Sequence, residues 1–271
     1  MSRLDPADVA AVTVLLSPER LSALTALTGS AATAIELHQE TLTVSAGLMN
    51  VIASIEIALR NAVSENLAAF FGSPRWLTHP PAPFQWRTIE NDIAKRALSS
   101  AQRAEYAKMT QAEKGALDAL AFPNGRPANT SHLKRAQMRY RQIPVSEGKI
   151  IAETTFYLWK RLYSGEYDQT LWRTTLKRTF PNRTLKRPRI AEQLEHIYQA
   201  RNRLAHHEPV LHKRFRDAVA AIEYVAEHLN NRAGTPAADT PLARLIAPDL
   251  DAVKAKAAAL HARLDSFRTG P

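Results

Sequence analysis

The apolar residues of this chain recur mostly at spacings of three and four, which is the period of amphipathic α-helices. The longest such pattern runs from about residue 31 to residue 71. Its predicted buried row consists of Leu48, Val51, Ile52, Ile55, Leu59, Ala62, Val63 and Phe70. Alternating strand patterns are scarce, and no internal repeat is visible. The sequence therefore predicts an all-α fold.

Capping residues, glycines and prolines set the bounds of the other predicted helices. The expected ranges are about 18–28, 86–106, 111–121, 147–163, a basic helix from Asp168 to Pro181, 188–205, a helix opened by Pro209, and 249–267. Aromatic residues of the second half are expected in the core, with base stacking as the alternative. They are Phe156, Trp159, Trp172 and Phe180.

The stretch 232–248 has the composition of a linker. We therefore expect a helical domain over residues 1–231, this linker, and a helical tail over residues 249–271. Two roles for the tail stay open, which are docking on the bundle and support of dimer contacts.

Composition excludes several chemistries. Cysteine is absent, which excludes disulfides, thiolate zinc sites and thiol nucleophiles. The N-terminus has no secretory pattern, and the apolar stretch 41–55 is shorter than the roughly 20 residues of a membrane span. We expect a soluble cytoplasmic protein with no membrane partner.

The net charge of +10 is concentrated in one region, since residues 126–216 hold 20 basic and 7 acidic residues. No acidic residue occurs from 169 to 191. The basic residues there are Arg173, Lys177, Arg178, Arg183, Lys186, Arg187 and Arg189. Such a cluster attracts phosphate backbones, which predicts RNA binding, whereas the alternative is a solubilising surface.

The segment from Arg201 to Pro209 carries the most informative side chains. On a helical wheel, Arg201 falls in the middle of the apolar stripe of the helix 188–205, which is costly unless the arginine is paired or lines a cleft. Asn202 and His206 share a face. The turn forced by Pro209 is expected to bring His206 back toward Arg201.

These groups suffice for metal-independent RNA cleavage. A neutral imidazole exchanges a proton near pH 7, a guanidinium stabilises charge on the reacting phosphate, and an amide orients either group. The RNA 2′-OH would attack the adjacent phosphate and leave a 2′,3′-cyclic phosphate and a 5′-OH. The alternative is that Arg201 makes a structural salt bridge and the histidines cap a helix end.

Several segments, in order along residues 16–225, resemble one protein family. They are 16–20 (LSPER), 55–63 (IEIALRNAV), 156–159 (FYLW), Tyr167-Asp168, Leu171-Trp172, Phe180-Pro181 and 201–209 (RNRLAHHEP). The family is the HEPN superfamily, and more closely its Abi-like (abortive infection) branch. Its hallmark is an arginine, four to six residues and a histidine, which Arg201 and His206 match with four residues between them. The chain departs at 156–159, where the family tends to have Phe-Gly-Phe-Trp.

The resemblance implies a HEPN-like helical bundle with additional N-terminal and C-terminal helices. It implies an endoribonuclease that acts in phage defence or as a toxin, with Arg201, His206 and Asn202 in the catalytic site. HEPN units often pair around one cleft, so a homodimer is expected, and an antitoxin or activator is a further candidate partner. Because some HEPN proteins do not cut RNA, a non-catalytic RNA-binding or protein-interaction module stays the alternative. A nucleotide-binding regulator has less support.

Three polar residues of the long helix are candidate supporting residues. Glu56 and Arg60 are four residues apart and can pair as a boundary ion pair. Alternatively, Glu56 holds Arg201 or His206 in place, with Arg60 and Asn61 near the RNA. HEPN sites commonly use a polar residue from an earlier helix, which fits Glu56.

His207 lies one residue beyond His206 and could take its role. His206, His207 and His212 are candidate metal ligands by residue type, but no matching carboxylates or cysteines accompany them. We therefore expect no metal and no cofactor.

Overall fold

The computed structural model describes residues 4–126, 129–231, 236 and 239–268. Within these residues the fold is all-α and contains no strand, as the sequence predicts. The helices are α1 (Pro6–Leu16), α2 (Pro18–Thr28), α3 (Ala31–Phe71), α4 (Thr88–Lys108), α5 (Gln111–Ala121), α6 (His132–Tyr140), α7 (Glu147–Ala152), α8 (Phe156–Arg161), α9 (Arg187–Ala205), α10 (His212–His228) and α11 (Pro241–Arg268).

The chain divides into two compact units. The first comprises residues 1–62 and 163–271, and the second comprises residues 63–162. Helix α3 contributes to both units. All candidate site residues belong to the first unit, so their relationships can be described within one body.

Helix α3 has the bounds that its pattern predicts, and its apolar row is buried from Leu48 to Val63. Phe70 is the exception: it is 44% exposed, and Leu67 is buried instead. By length and composition alone, α3 is the one helix of the described residues that could cross a membrane. The core helix of a globular protein passes the same test, and 33% of the apolar window of α3 is buried.

Helix α11 docks on the first unit. Its Val253 packs against Gly47 of α3, and Asp249 accepts a hydrogen bond of 3.0 Å from Asn50. Arg263 forms ion pairs with Glu36 and Glu40. These contacts favour the docking role for the C-terminal tail.

The expected linker needs a correction, because residues 241–248 form the first turns of α11. The Thr240 hydroxyl accepts a hydrogen bond from the Ala243 amide (3.2 Å) and donates one to the Ala226 carbonyl (2.8 Å). This cap starts the helix against α10, and Pro248 lies inside it. Residues 232–235, 237 and 238 of the linker and 269–271 of the tail lie outside the described residues.

The predicted helix 147–163 is interrupted between α7 and α8. Thr154 donates its hydroxyl to the Ile151 carbonyl at 2.7 Å, and the Thr154 amide bonds the same oxygen in a tight turn. A threonine hydroxyl bound to nearby backbone in this way competes with the regular helical pattern.

The predicted basic helix after Asp168 is also wrong. A π turn at Asp168–Trp172 and a 3₁₀ turn at Leu176–Thr179 replace it, and a further 3₁₀ turn at Gly165–Tyr167 precedes Asp168. Asp168 does not cap a helix, because its carboxylate instead accepts hydrogen bonds from the side chains of Arg173 and Arg187. Pro209 likewise does not open α10, which begins at His212.

The aromatic residues of the second half pack as core. Phe156, Trp159 and Phe180 are fully buried, and the Trp159 ring lies edge-on to Trp76. Trp172 is half-buried with its ring near that of Tyr163. This burial leaves no open surface on the first three rings for base stacking.

The docking of α11 on α3 can be tested at Gly47. A Cβ added there would lie 2.5 Å from Val253 Cγ2, so Gly47→Ala should lower the free energy of unfolding by about 1–3 kcal/mol through overpacking. Gly115→Ala is the matched control: a Cβ there meets open space within a helix, so it should stabilise by about 0.5–1 kcal/mol. Urea unfolding measures both. Equal stability of the two variants would contradict the docked position of α11.

Candidate active site and nucleic-acid interface

Arg201 lies at the edge of the buried stripe of α9, not in its middle. The stripe includes Gln193 and Ala200, whereas Ala205 is exposed. Helix α10 packs along α9 and buries the side that carries Gln193 and Ala200. The centre of the buried stripe therefore lies roughly 35° around the helix from its predicted position. Arg201 is therefore half-exposed.

The Arg201 side chain makes no hydrogen bond and no ion pair with the described part of the chain. The alternative of a structural salt bridge at Arg201 therefore finds no partner there. Asn202 is half-exposed on the same turn, and its side chain also has no described hydrogen bond. Both groups are available to a ligand.

A tight turn ends α9 and displays the two histidines. The His206 amide donates to the Asn202 and Arg203 carbonyls at 3.2 and 3.1 Å, and the His207 amide donates to the Leu204 carbonyl at 3.0 Å. His207 has a left-handed backbone with φ of 55°. Both histidines are exposed and cap the helix through their backbone, which leaves the imidazoles open to solvent.

Two contacts hold this turn in place. The Glu208 amide donates to the Arg203 carbonyl at 2.8 Å, and the Glu208 carboxylate pairs with the Arg203 guanidinium at 3.1 Å. Arg203 and Glu208 thus close the turn twice, once through a backbone hydrogen bond and once through a side-chain ion pair. The backbone that carries His206 is fixed while its side chain stays free.

Arg20 is a site residue that the pattern of the sequence does not reveal. It lies on α2 and donates from Nη1 to the His207 carbonyl at 3.4 Å. It also lies near His38 of α3, whose pKa is lowered by burial and by the charge of Arg20. Arg20 stands within the segment 16–20 that carries the family resemblance, but no local signal links it to a residue 187 positions away.

The three candidate supporting residues of α3 differ in their exposure. Glu56 and Arg60 are half-buried and Asn61 is exposed. Arg60 Nε is buried without a hydrogen-bond partner in that part of the chain. No described hydrogen bond links Arg60 or Asn61 to Arg201 or His206. The positioning role of Glu56 and the RNA contacts of Arg60 and Asn61 therefore stay predictions.

The basic segment divides into structural and available cations. Arg187 is mostly buried: its Nε donates to Asp168 at 2.9 Å and its Nη1 to the Tyr163 carbonyl at 2.8 Å. The hydrogen bond from Arg187 holds the pKa of Asp168 below its ordinary value. Arg187 therefore has a structural role in this unit, and its part in RNA binding stays a prediction.

The remaining six basic residues of this segment are exposed. Arg173 pairs with Asp168 at 2.9 Å, and Arg189 pairs with Glu192 at 2.7 Å. Four others have no ion pair with any residue that the structure describes. They are Lys177, Arg178, Arg183 and Lys186. Uncompensated exposed cations of this kind can bind a polyanion through phosphate contacts.

The described residues contain no group of three or more histidine, cysteine or acidic side chains placed to hold a metal ion. His206, His207 and His212 do not form such a group there. The described chemistry of the site is thus that of a free imidazole, a free guanidinium and an amide.

Comparison of the chain with protein-family models, with curated proteins and with solved structures gives no match.

The structural role of Arg187 gives a testable difference. Arg187→Gln should lower the thermal midpoint at pH 7, because it removes the bonds to Asp168 and to the Tyr163 carbonyl, whereas Lys177→Gln should leave the midpoint unchanged. A lowered carboxyl pKa stabilises the fold above the unfolded pKa, and this contribution is lost as the pH falls through the folded value. The difference between wild type and Arg187→Gln should therefore narrow below about pH 4.

Circular-dichroism melts at neutral and acidic pH measure this difference. If Arg187→Gln and wild type have the same thermal midpoint at pH 7, the structural role of Arg187 is contradicted and Arg187 is again a candidate RNA contact.

Proposed function

We propose that this protein is a metal-independent endoribonuclease of the HEPN type, acting in phage defence or as a toxin. One observation carries the proposal. Arg201 lies in the last turns of α9 and His206 is the residue that ends this helix, and neither side chain is committed to a described partner. A guanidinium and an imidazole left free on a fixed turn are the groups that this reaction requires.

Each group has a role in the proposed reaction. His206 takes the proton from the attacking 2′-OH or supplies one to the leaving 5′-oxygen. Arg201 stabilises the charge that builds on the phosphate during attack, through its fork of N–H donors. Asn202, on the same turn, orients the phosphate or the imidazole.

The free cations support RNA as the substrate. Lys177, Arg178, Arg183 and Lys186 belong to the same compact unit as Arg201. Phosphate contacts position a nucleic acid and do not read its sequence. This arrangement supports backbone binding followed by cleavage at the end of α9.

The proposal includes a homodimer, because HEPN-type units pair so that two Arg/His sets face one cleft and this chain carries one set. An antitoxin or activator that restrains the nuclease is a further proposed partner. A binding module that does not cut RNA is the second candidate, since the four free cations do not depend on His206.

Cleavage of total RNA and transfer RNA in EDTA tests the proposal. His206→Ala should reduce the cleavage rate by roughly 10²–10⁴-fold through loss of proton transfer, with unchanged folding because the side chain is exposed and unbonded. His207→Asn is the matched control: asparagine tolerates the left-handed backbone, so it removes the imidazole and keeps the turn. It should retain cleavage.

Three other outcomes are informative. Loss of cleavage in His207→Asn alone would assign the proton transfer to His207. Wild-type binding without any cleavage would favour the binding module. Cleavage that EDTA abolishes would contradict the metal-independent reaction.

Salt dependence tests the RNA-binding surface separately. The double variant Lys177→Gln/Arg183→Gln should weaken RNA binding and lower the slope of log K against log salt by about 1.4, at about 0.7 for each lost contact with a single strand. The single variant Arg244→Gln removes an exposed charge on α11 and should leave the slope unchanged. Filter binding over a salt series measures both, and equal slopes would contradict the assignment of this surface.

A further inference from the structure

A polar cavity lies between α9 and α10, on the side of α9 that faces away from Arg201. Its volume is about 310 Å³. Its polar lining residues are His196, Gln199, Arg203, Arg214 and Asp217, and the remainder is Ala200, Val210 and Ala218. The volume matches the lower end of small-molecule sites, so the cavity is sized for one small ligand.

The helical geometry separates this cavity from the proposed nuclease groups. Arg203 follows Arg201 by two residues and therefore points about 160° away around the helix. The cavity lines the contact with α10, whereas Arg201 lies on the opposite edge of the buried stripe. A ligand bound here would therefore not occupy the proposed cleavage site.

The two arginines of the cavity retain unused donors. Arg203 Nε is buried and has no hydrogen-bond partner among the described residues. Arg214 is exposed and makes no ion pair with them. A buried guanidinium N–H without an acceptor is costly, and an anion in the cavity would supply the acceptor.

The other polar side chains suit hydroxyl groups. Lys213 binds the Asp217 carboxylate at 2.6 Å, and this bond together with the charge of His196 keeps the pKa of Asp217 below its ordinary value. The ionised carboxylate accepts hydrogen bonds only, while the Gln199 amide both accepts and donates. The cavity thus offers donors for an anion and acceptors for hydroxyls.

We propose that this cavity binds a ribonucleotide, with its phosphate on Arg203 and Arg214 and its ribose hydroxyls near Asp217 and Gln199. Guanidinium forks match phosphate oxygens in a bidentate geometry, and two of them fix the anion more strongly than one. The ribonucleotide is either a free nucleotide or one unit of an RNA strand.

Occupancy would act on the turn that carries His206. Arg203 pairs with Glu208 at 3.1 Å, so a phosphate in the cavity competes with Glu208 for the same guanidinium. The competition loosens one of the two contacts that close the turn. Binding itself does not depend on the proposed nuclease activity, so the two proposals can fail separately.

Isothermal titration calorimetry of the full chain with AMP tests the site. Arg214→Gln should weaken AMP binding by roughly 10-fold or more, the effect of a lost charge-assisted hydrogen bond. Arg216→Gln is the matched control, because Arg216 is exposed on the same helix and does not line the cavity. It should stay within about twofold of wild type.

Glu208→Gln gives a result of opposite sign. It removes the carboxylate that competes for Arg203, so AMP should bind about two- to fivefold more tightly. If the cavity does not bind AMP, Glu208→Gln would show no gain in AMP affinity. Circular dichroism of each variant confirms that the fold is kept.

Titrations with inorganic phosphate and with a short oligoribonucleotide identify the source of the ligand. Weaker oligoribonucleotide binding in Arg214→Gln, with no AMP binding to wild type, would assign the site to an RNA strand. AMP binding that Arg214→Gln weakens would assign it to a free nucleotide. Absence of saturable binding for both ligands, equal effects of Arg214→Gln and Arg216→Gln, or AMP no tighter than phosphate would overturn the proposal.

Discussion

Helix α10 packs against the side of α9 that carries Gln193 and Ala200, and the positions of the candidate groups depend on this contact. It turns the buried stripe of α9, so that Arg201 lies at the edge where a charged side chain can reach solvent. It also forces the chain to reverse between residues 205 and 212, which presents the two histidines outward. The cavity that contains Arg203 and Arg214 lies in the same helix pair.

The turn that ends α9 has a fixed backbone, while the side chains of His206 and His207 on it are free. Hydrogen bonds from the backbone amides of His206, His207 and Glu208 close the turn, together with the Arg203–Glu208 ion pair. Arg20 of α2 donates to the His207 carbonyl on the outside of the turn. A rigid backbone reduces the entropy lost when a substrate is positioned. The His206 imidazole and the Arg201 guanidinium remain available, because neither side chain takes part in closing the turn. The same ion pair connects the turn to the cavity on the other side of α9.

The sequence predicts the elements whose signals are local. Helices α3 and α5 have the expected bounds, because their apolar periods are long and glycine, proline or a threonine cap marks their ends. The region after Asp168 could not be predicted, since its carboxylate binds Arg187, 19 residues away, in place of the nearby amides. The sequence predicts a linker over residues 232–248, but contacts with α10 and α3 stabilise a helix that begins at Pro241 and continues through Pro248.

Prediction of the candidate site is limited in the same way by contacts between residues that are distant in sequence. The sequence places Arg201, Asn202 and His206 on one helix end, which the structure shows. The face that Arg201 occupies depends on α10, and the structural role of Arg187 depends on Asp168 and Tyr163. Such partners are distant in sequence, so a wheel drawn for one helix cannot supply them.

The proposed function requires that the groups at the end of α9 cut RNA through its own 2′-OH. The most direct measurement compares, in EDTA, an oligoribonucleotide that wild type cleaves with the same strand carrying one 2′-deoxy nucleotide at the scissile position. The ribose strand should give a 2′,3′-cyclic phosphate and a 5′-OH, identified by mass spectrometry, and the substituted strand should not be cut at that position. Cleavage of the substituted strand at the same bond, or a 5′-phosphate product, would rule out attack by the 2′-OH.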